Sequence, residues 1–193
     1  QAENLLMADL LVISSGCKES EVFELLETIK PVRGRMELAA TRRNGASVYV
    51  DYAHTPEAIE VALKSLKPHI LGKLIVIIGA GGERDEGKRP LMGLAAEKNS
   101  DFVIITDDNP RNEDPQLIHQ MIKNGIKDKN KVMVIGDRAE AILTAVDLLE
   151  VGDGLLIAGK GHETEQVIGE NNFPFDDFEQ ASLSVASLDG KEQ

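Results

Sequence analysis

Three short stretches of the chain are apolar almost without a break, Lys73–Ile78, Asp101–Thr106 and Gly154–Ala158, and Lys131–Ile135 reads as a further strand. A run of this length with no polar alternation predicts a strand covered on both faces. Between these runs the apolar positions change to helical spacing, which predicts helices over 56–66, 90–98, 115–125 and 138–149. Thr55-Pro56 and Pro90 mark two of the helix starts, because proline fits the first turn of a helix. Strands that alternate with helices predict an α/β fold, a Rossmann-like, doubly wound and mostly parallel sheet with flanking helices.

Two further pairings frame this core. Met36–Thr41 and Ser47–Asp51 read as an antiparallel pair around Asn44-Gly45, a turn dipeptide. Near the end, Glu165–Ile168 and Phe173–Phe175 flank a turn at Glu170-Asn171-Asn172. Asp176 then caps a last helix running to about Leu188, and the polar residues after Asp189 are expected to fray. The opening differs in character. Residues 3–13 predict a helix that is apolar on most faces, and Glu19–Ile29 a second one that Ser20 could cap. Pro31 stops it, and a boundary is expected near residues 30–34. Residues 1–30 are thus a helical segment and residues 31–193 the α/β domain.

Composition narrows the function classes. Acidic residues outnumber basic ones 33 to 21, giving a net charge of −12, which argues against nucleic acid as a partner. Aromatic residues make up 4% and tryptophan is absent, so the core must be built from aliphatic side chains. The one cysteine, Cys17, excludes an internal disulfide and fits a cytoplasmic protein. No apolar run approaches the ~20 residues that cross a bilayer. The first residue is Gln1, which reads as a fragment or a processed start.

The candidate chemistry follows the predicted strands. Ligands of open α/β sheets sit beyond the carboxyl ends of the strands, and a polar loop occurs at four such places. Gly79 to Arg89 opens like a dinucleotide fingerprint, but Arg84 stands where a small residue is needed. The stretch Gly82 to Arg89 also imitates a phosphate loop, yet ends in Arg89 instead of Ser or Thr, and its acidic interior would repel phosphate. It reads either as a plain glycine-rich turn or as a loop that offers Arg84 to an anion. Asp108-Asn109-Pro110-Arg111 is either a turn or a clamp, in which Arg111 takes a carboxylate and Asn109 assists. In Gly159-Lys160-Gly161-His162-Glu163 the glycines permit close approach of a ligand, and Glu163 can accept from an ammonium. Lys160 and His162 read equally well as a solvated loop. Asp51 to Pro56 reads as a capped helix start, or as a site where Asp51 meets a ribose and His54 a base. No histidine pair has metal-ligand spacing, and no serine sits in a nucleophile elbow.

Taken together, Gly34 to Glu37, Asp51 to Pro56, Gly81 to Pro90, Thr106 to Arg111 and Gly159 to Glu163 occur in an order that resembles the Mur ligases, and in particular their diaminopimelate-adding branch. The resemblance covers about residues 31–188, which would be the C-terminal domain of such a ligase. Residues 1–30 would be the end of its central, ATP-binding domain. The resemblance implies that Arg84, Asp108, Asn109, Pro110, Arg111, Gly159 and Glu163 contact meso-diaminopimelate. Arg111 would hold the carboxylate on the distal carbon, which lysine lacks. Arg35, Asp51 and His54 would close over ATP. The family reaction uses ATP and Mg2+ to make an acyl phosphate on UDP-MurNAc-L-Ala-D-Glu, which the diaminopimelate amine then attacks. The family's phosphate loop, Mg2+ ligands and modified lysine are not in this stretch, so no catalytic or metal residue is assigned here and the chain alone is expected to be inactive. It is also expected to be monomeric. Two other readings stay open: a ligase domain for another amino acid, and a non-catalytic module that binds a nucleotide or amino acid.

Overall fold

The computed structural model describes residues 2–26 and 28–190, with side chains from Asn4 onward. The chain forms two compact units, Gln1–Val32 and Arg33–Gln193. The first holds α1 (Ala2–Ser14) and α2 (Glu19–Leu26). Ser20 lies inside the first turn of α2, so it does not cap the helix, which begins at Glu19 as its sequence suggests and ends at Leu26, before the expected Ile29. The Ile29 amide closes a turn onto the Leu26 carbonyl beyond the regular helix, and Glu27 lies outside the described residues.

The second unit is a sheet with a helical layer on each face. Its elements are β1 (Glu37–Thr41), β2 (Ser47–Asp51), α3 (Pro56–Leu66), β3 (Leu74–Ile78), α4 (Lys88–Asn99), β4 (Phe102–Ile105), α5 (Pro115–Asn124), β5 (Val132–Val134), α6 (Arg138–Asp147) and β6 (Gly154–Ala158), followed by β7 (Glu165–Ile168), β8 (Asn171–Pro174) and α7 (Asp177–Asp189). The sheet order is β1-β2-β6-β3-β4-β5. Only β1 runs antiparallel to its neighbour; β2, β6, β3, β4 and β5 are mutually parallel. The chain leaves β3 for β4 and β5 at one edge. It then returns through α6 to insert β6 between β2 and β3.

The two-residue period of a strand explains both faces. Leu74, Val76 and Ile78 of β3 point to one side, with Val103, Ile105 and Leu156, and meet Ile59, Leu63, Met92, Ala96, Ile118 and Ile122 of α3, α4 and α5. Ile75 and Ile77 point to the other, with Ile104, Leu155 and Ile157, and meet Ala141, Ile142, Ala145, Val146 and Ala181 of α6 and α7. Every residue of β3 and β6 is buried, as expected of the two central strands.

The caps show why the helices start where they do. Thr55 Oγ1 accepts from the Ala58 amide at the start of α3, and Asp137 and Asp176 cap α6 and α7 in the same way. Pro90 is the third residue of α4, not its first; a proline is tolerated there because amides of the first turn lack intrahelical partners. β7 and β8 form a separate antiparallel hairpin whose turn falls at Gly169-Glu170, so Asn171 and Asn172 are strand residues. Glycine at the first turn position, with φ +58°, sets this register.

Candidate functional site

The loops after β2, β3, β4 and β6 meet at the carboxyl end of the sheet and surround one cavity of about 420 Å³. Tyr52, His54 and Thr55 come from the first loop, Gly79 to Gly81, Arg84 and Asp85 from the second, Asp108, Asn109 and Arg111 from the third, and Gly159 and Glu163 from the fourth. Lys88, Arg89 and Met92 close it from the start of α4.

The second and third loops are laced together. The Gly82 amide donates to the Asn109 carbonyl at 2.9 Å, and Arg111 Nη1 donates back to the Gly82 carbonyl at 2.7 Å. Asn112 Nδ2 donates to Glu83 Oε1, and Glu113 receives both the Glu83 amide and the buried Arg89 guanidinium. The Glu83 amide and Arg89 hold the Glu113 carboxyl below its ordinary range, against a smaller opposing effect of burial. Only glycine fits at position 82, because a Cβ there would lie 1.9 Å from the Pro110 carbonyl oxygen. Arg111 and Glu83 adopt left-handed backbone at φ +52° and +55°, and Met36 in the loop before β1 does so at +48°. These are the three non-glycine residues with positive φ among those described, and all lie in loops at this end of the sheet. Such backbone costs on the order of 1–3 kcal/mol per residue and persists where neighbours hold it.

The third and fourth loops share a buried polar network. Asn109 Oδ1 accepts from Lys160 Nζ at 2.8 Å and from the Val167 amide at 2.9 Å, while its Nδ2 donates to Glu163 Oε2 at 3.0 Å. Lys160 is fully buried and also donates to the Glu165 carbonyl at 2.7 Å. Burial lowers its pKa, against the opposing pull of Asp108. The β7–β8 hairpin closes the network from outside: the Arg111 amide donates to the Val167 carbonyl, and Gln166 Nε2 donates to the Asp108 carbonyl. Behind it, Arg138 is buried in a two-pronged pair with Asp177, both contacts at 2.7 Å, and donates to the carbonyls of Asp107 and Ala158. Burial opposes the charge on Arg138, but Asp177 outweighs it and raises the guanidinium's pKa.

A second cluster flanks the cavity. The Arg35 guanidinium lies 4.6 Å from the centre of the Tyr52 ring, a cation–π distance. Tyr52 also meets the rings of His54 at 4.5 Å and His162 at 5.1 Å. His54 Nδ1 donates to the Tyr52 carbonyl. The Asp51 carboxylate accepts from the amides of Met36 and Ala53, so it knits two loops together. Gly34 and Gly161 touch backbone to backbone; a Cβ on Gly34 would overlap the Gly161 carbonyl carbon at 2.2 Å.

Six of the seven residues assigned to diaminopimelate, namely Arg84, Asp108, Asn109, Arg111, Gly159 and Glu163, line the one cavity, and Pro110 does not. Of the three assigned to ATP, His54 lines it, whereas Arg35 and Asp51 stand beside it. Arg84 is exposed at the cavity and has no hydrogen-bond or ion-pair partner among the described residues. The buried Lys160 replaces the solvated loop that the sequence allowed. Its burial was hidden because its partners, Asn109 and Glu165, are recognised only once the two loops meet. Arg89, Tyr52 and the Arg138–Asp177 pair were missed for the same reason. A tight loop of glycines directly after the apolar run Gly154–Ala158 was the one local sign that Lys160 had little room to turn outward. Among the described residues, no group of three His, Cys, Asp or Glu side chains is placed to hold a metal ion, and no helix is long and apolar enough to cross a membrane.

Chemically the cavity presents both signs of charge to whatever enters it. Cations at Arg84, Lys88, Arg89 and Arg111 face carboxylates at Asp85, Asp108 and Glu163. Residues 34–161 of this doubly wound α/β domain match the family model for the Mur ligase, glutamate ligase domain. The chain belongs to that family.

Its relatives are more particular. A UDP-N-acetylmuramoyl-L-alanyl-D-glutamate–2,6-diaminopimelate ligase of Bradyrhizobium diazoefficiens is 48% identical over 187 residues, covering 97% of this chain and 38% of that protein. The ligase of the same name from Rickettsia typhi is 50% identical over 182 residues, 93% of this chain and 36% of that one. A solved structure of such a diaminopimelate ligase superposes with a TM-score of 0.77 at 37% identity, over 97% of this chain and 38% of that chain. The chain therefore spans somewhat over a third of the length of the relatives it matches.

Proposed function

We propose that this chain is the part of an ATP-dependent ligase that binds meso-diaminopimelate for addition to UDP-MurNAc-L-Ala-D-Glu. The observation that carries the reading is the meeting of Arg84, Arg111 and Glu163, from three separate loops, around one cavity. Diaminopimelate has an amino-acid group at each end. Glu163 suits an ammonium, and the two guanidinium groups suit carboxylates through paired hydrogen bonds. Arg111 takes the distal carboxylate with the donors not spent on the Gly82 carbonyl. Lysine has no such carboxylate and would leave Arg111 with a desolvated, unanswered charge.

Residues 1–30 are then the end of the ligase's ATP-binding domain. α1 agrees with this, since Leu6, Met7, Leu10 and Leu11 are all exposed, the surface of a helix made to be covered on several sides. ATP approaches the side of Arg35, Tyr52 and His54. The flat cation–ring cluster suits a nucleotide there, while Asp51 shapes the loop through the Met36 and Ala53 amides. We assign Mg2+ to the preceding domain, as the resemblance to the Mur ligases implies. We place the protein in the cytoplasm, where a nucleotide-linked substrate is made, and expect a monomer.

Calorimetric titration of the chain tests the reading. Meso-diaminopimelate should bind, and L-lysine should bind at least about tenfold more weakly, the loss of roughly one charged hydrogen-bonded contact. Equal affinity for the two would remove the carboxylate clamp. With ATP and UDP-MurNAc-L-Ala-D-Glu added, the chain should form no product; turnover would show that it holds the catalytic groups assigned elsewhere.

A further inference from the structure

We propose that Lys160 is the positioning residue of the amino-acid site: by holding Asn109 Oδ1 it fixes which way the Asn109 amide faces, and so aims the Asn109 N–H group at Glu163. The proposal rests on the reading of the cavity as an amino-acid site.

An asparagine amide is nearly symmetric in shape, so its partners decide its orientation. At Asn109 they decide it firmly. Two donors converge on one end, the Lys160 ammonium at 2.8 Å and the Val167 amide at 2.9 Å. A carboxylate oxygen of Glu163 waits at the other end, 3.0 Å away. A flipped amide would set its NH2 against two donors and its oxygen against a carboxylate. The ammonium makes that mistake costly, because it is buried and cannot turn to water. With the amide fixed, Glu163 Oε2 is held and Oε1 stays available for a ligand's ammonium.

Lys160 also restrains the loop that carries Glu163. Its second bond reaches the Glu165 carbonyl, at the start of the β7–β8 hairpin. The Glu163 amide in turn closes a tight turn onto the Lys160 carbonyl at 3.0 Å. Charge adds a further reason for a lysine here. Its Nζ lies 3.6 Å from Glu163 Oε2 and 4.0 Å from Asp108 Oδ1, so it balances two carboxylates on the cavity wall. A neutral replacement would leave these facing each other across the rim. Lys160 itself is not among the residues lining the cavity, so it acts through Asn109 and Glu163.

The test uses two variants and a readout that needs no ligand. Lys160→Met keeps the unbranched, apolar stem, one atom shorter, and removes the charge and its donors. Lys160→Ala leaves a space that propylammonium can enter, whereas tetramethylammonium carries the charge with no N–H. The NMR signals of the Asn109 side-chain amide and the exchange rate of the Val167 amide report the network in the free chain. In Lys160→Met the Asn109 signals should move and Val167 should exchange faster, with the rest of the spectrum retained. Affinity for meso-diaminopimelate should fall by about tenfold or more. Propylammonium, and not tetramethylammonium, should restore the Asn109 signals in Lys160→Ala; this arm also decides the matter if the methionine variant does not fold. Unchanged Asn109 signals in Lys160→Met, or equal rescue by both amines, would overturn the proposal. Should the unmodified chain bind no diaminopimelate, the amino-acid reading falls, and the Asn109 signals still decide what Lys160 does.

Discussion

Arg111 combines three demands in one residue. Its backbone is left-handed at φ +52°, its amide and carbonyl are hydrogen-bonded to the β7–β8 hairpin, and its guanidinium faces the cavity while bonded to the Gly82 carbonyl. The strain has a purpose if the side chain is needed there, which predicts opposite effects on stability and binding. Arg111→Gly should leave stability unchanged or raise it by up to about 1 kcal/mol, because glycine accepts this backbone freely. It should also weaken meso-diaminopimelate binding by about 10- to 100-fold. Urea unfolding and calorimetry on the same protein check both halves. At position 82 the expectation is reversed. Gly82→Ala would drive a methyl into the Pro110 carbonyl, and should cost about 1–3 kcal/mol and loosen the clamp loop with it. At this scale the sequence was partly legible. Arg84, Arg111 and Glu163 could be found because each is a charged residue in a loop after an apolar strand run. Lys160 could not, since its role depends on a neighbour about fifty positions away.

Among the elements, α7 is fastened through its first residue. Asp177 and Arg138 are both fully buried and joined by two bonds, and Arg138 also caps the carboxyl ends of β4 and β6 through the Asp107 and Ala158 carbonyls. Removing one partner leaves the other charge buried, so Asp177→Ala should cost about 3–5 kcal/mol, read by chemical denaturation. The double variant Asp177→Leu with Arg138→Met should recover much of that loss, since no charge is then left behind. The elements themselves were the most legible part of the chain. Continuous apolar runs located β3, β4 and β6, and helical spacing located α3, α5 and α6. Shifts occurred where local chemistry outweighed periodicity. α4 starts two residues before Pro90 because the first turn tolerates a proline, and the hairpin turn slides to Gly169 because only the earlier register puts glycine at positive φ.

For the whole molecule, the strand order was not legible. Insertion of β6 between β2 and β3 is decided by the return of α6 across the sheet, which no local pattern encodes. That insertion is what brings Gly159 to Glu163 beside both Asp51 to Pro56 and Asp108 to Arg111, so the site depends on the topology. Acid should undo the fold in a defined window. Burial tends to raise the Asp101 carboxyl, but Lys67 and the Leu74 amide outweigh it and lower its pKa. Glu113 and Asp189 are lowered first by the amides of Glu83 and Arg43, and then by neighbouring arginines. Because these native values lie below the ordinary 3.8 for Asp and 4.5 for Glu, the unfolded chain binds more protons as pH falls through that range. Stability should therefore decline steadily as the pH falls below about 4.5, which a series of thermal melts across acid pH would trace.

The central claim is that this rim recognises an amino acid with a carboxylate at its far end. An amide-NMR titration of the chain with meso-diaminopimelate, repeated with L-lysine and with Arg111→Ala, tests it most directly. The account predicts that diaminopimelate shifts the signals of Arg84, Asn109, Arg111 and Gly161, that lysine does so far more weakly, and that Arg111→Ala abolishes the difference between the two. Equal shifts with both amino acids, or shifts confined to residues away from these loops, would contradict it.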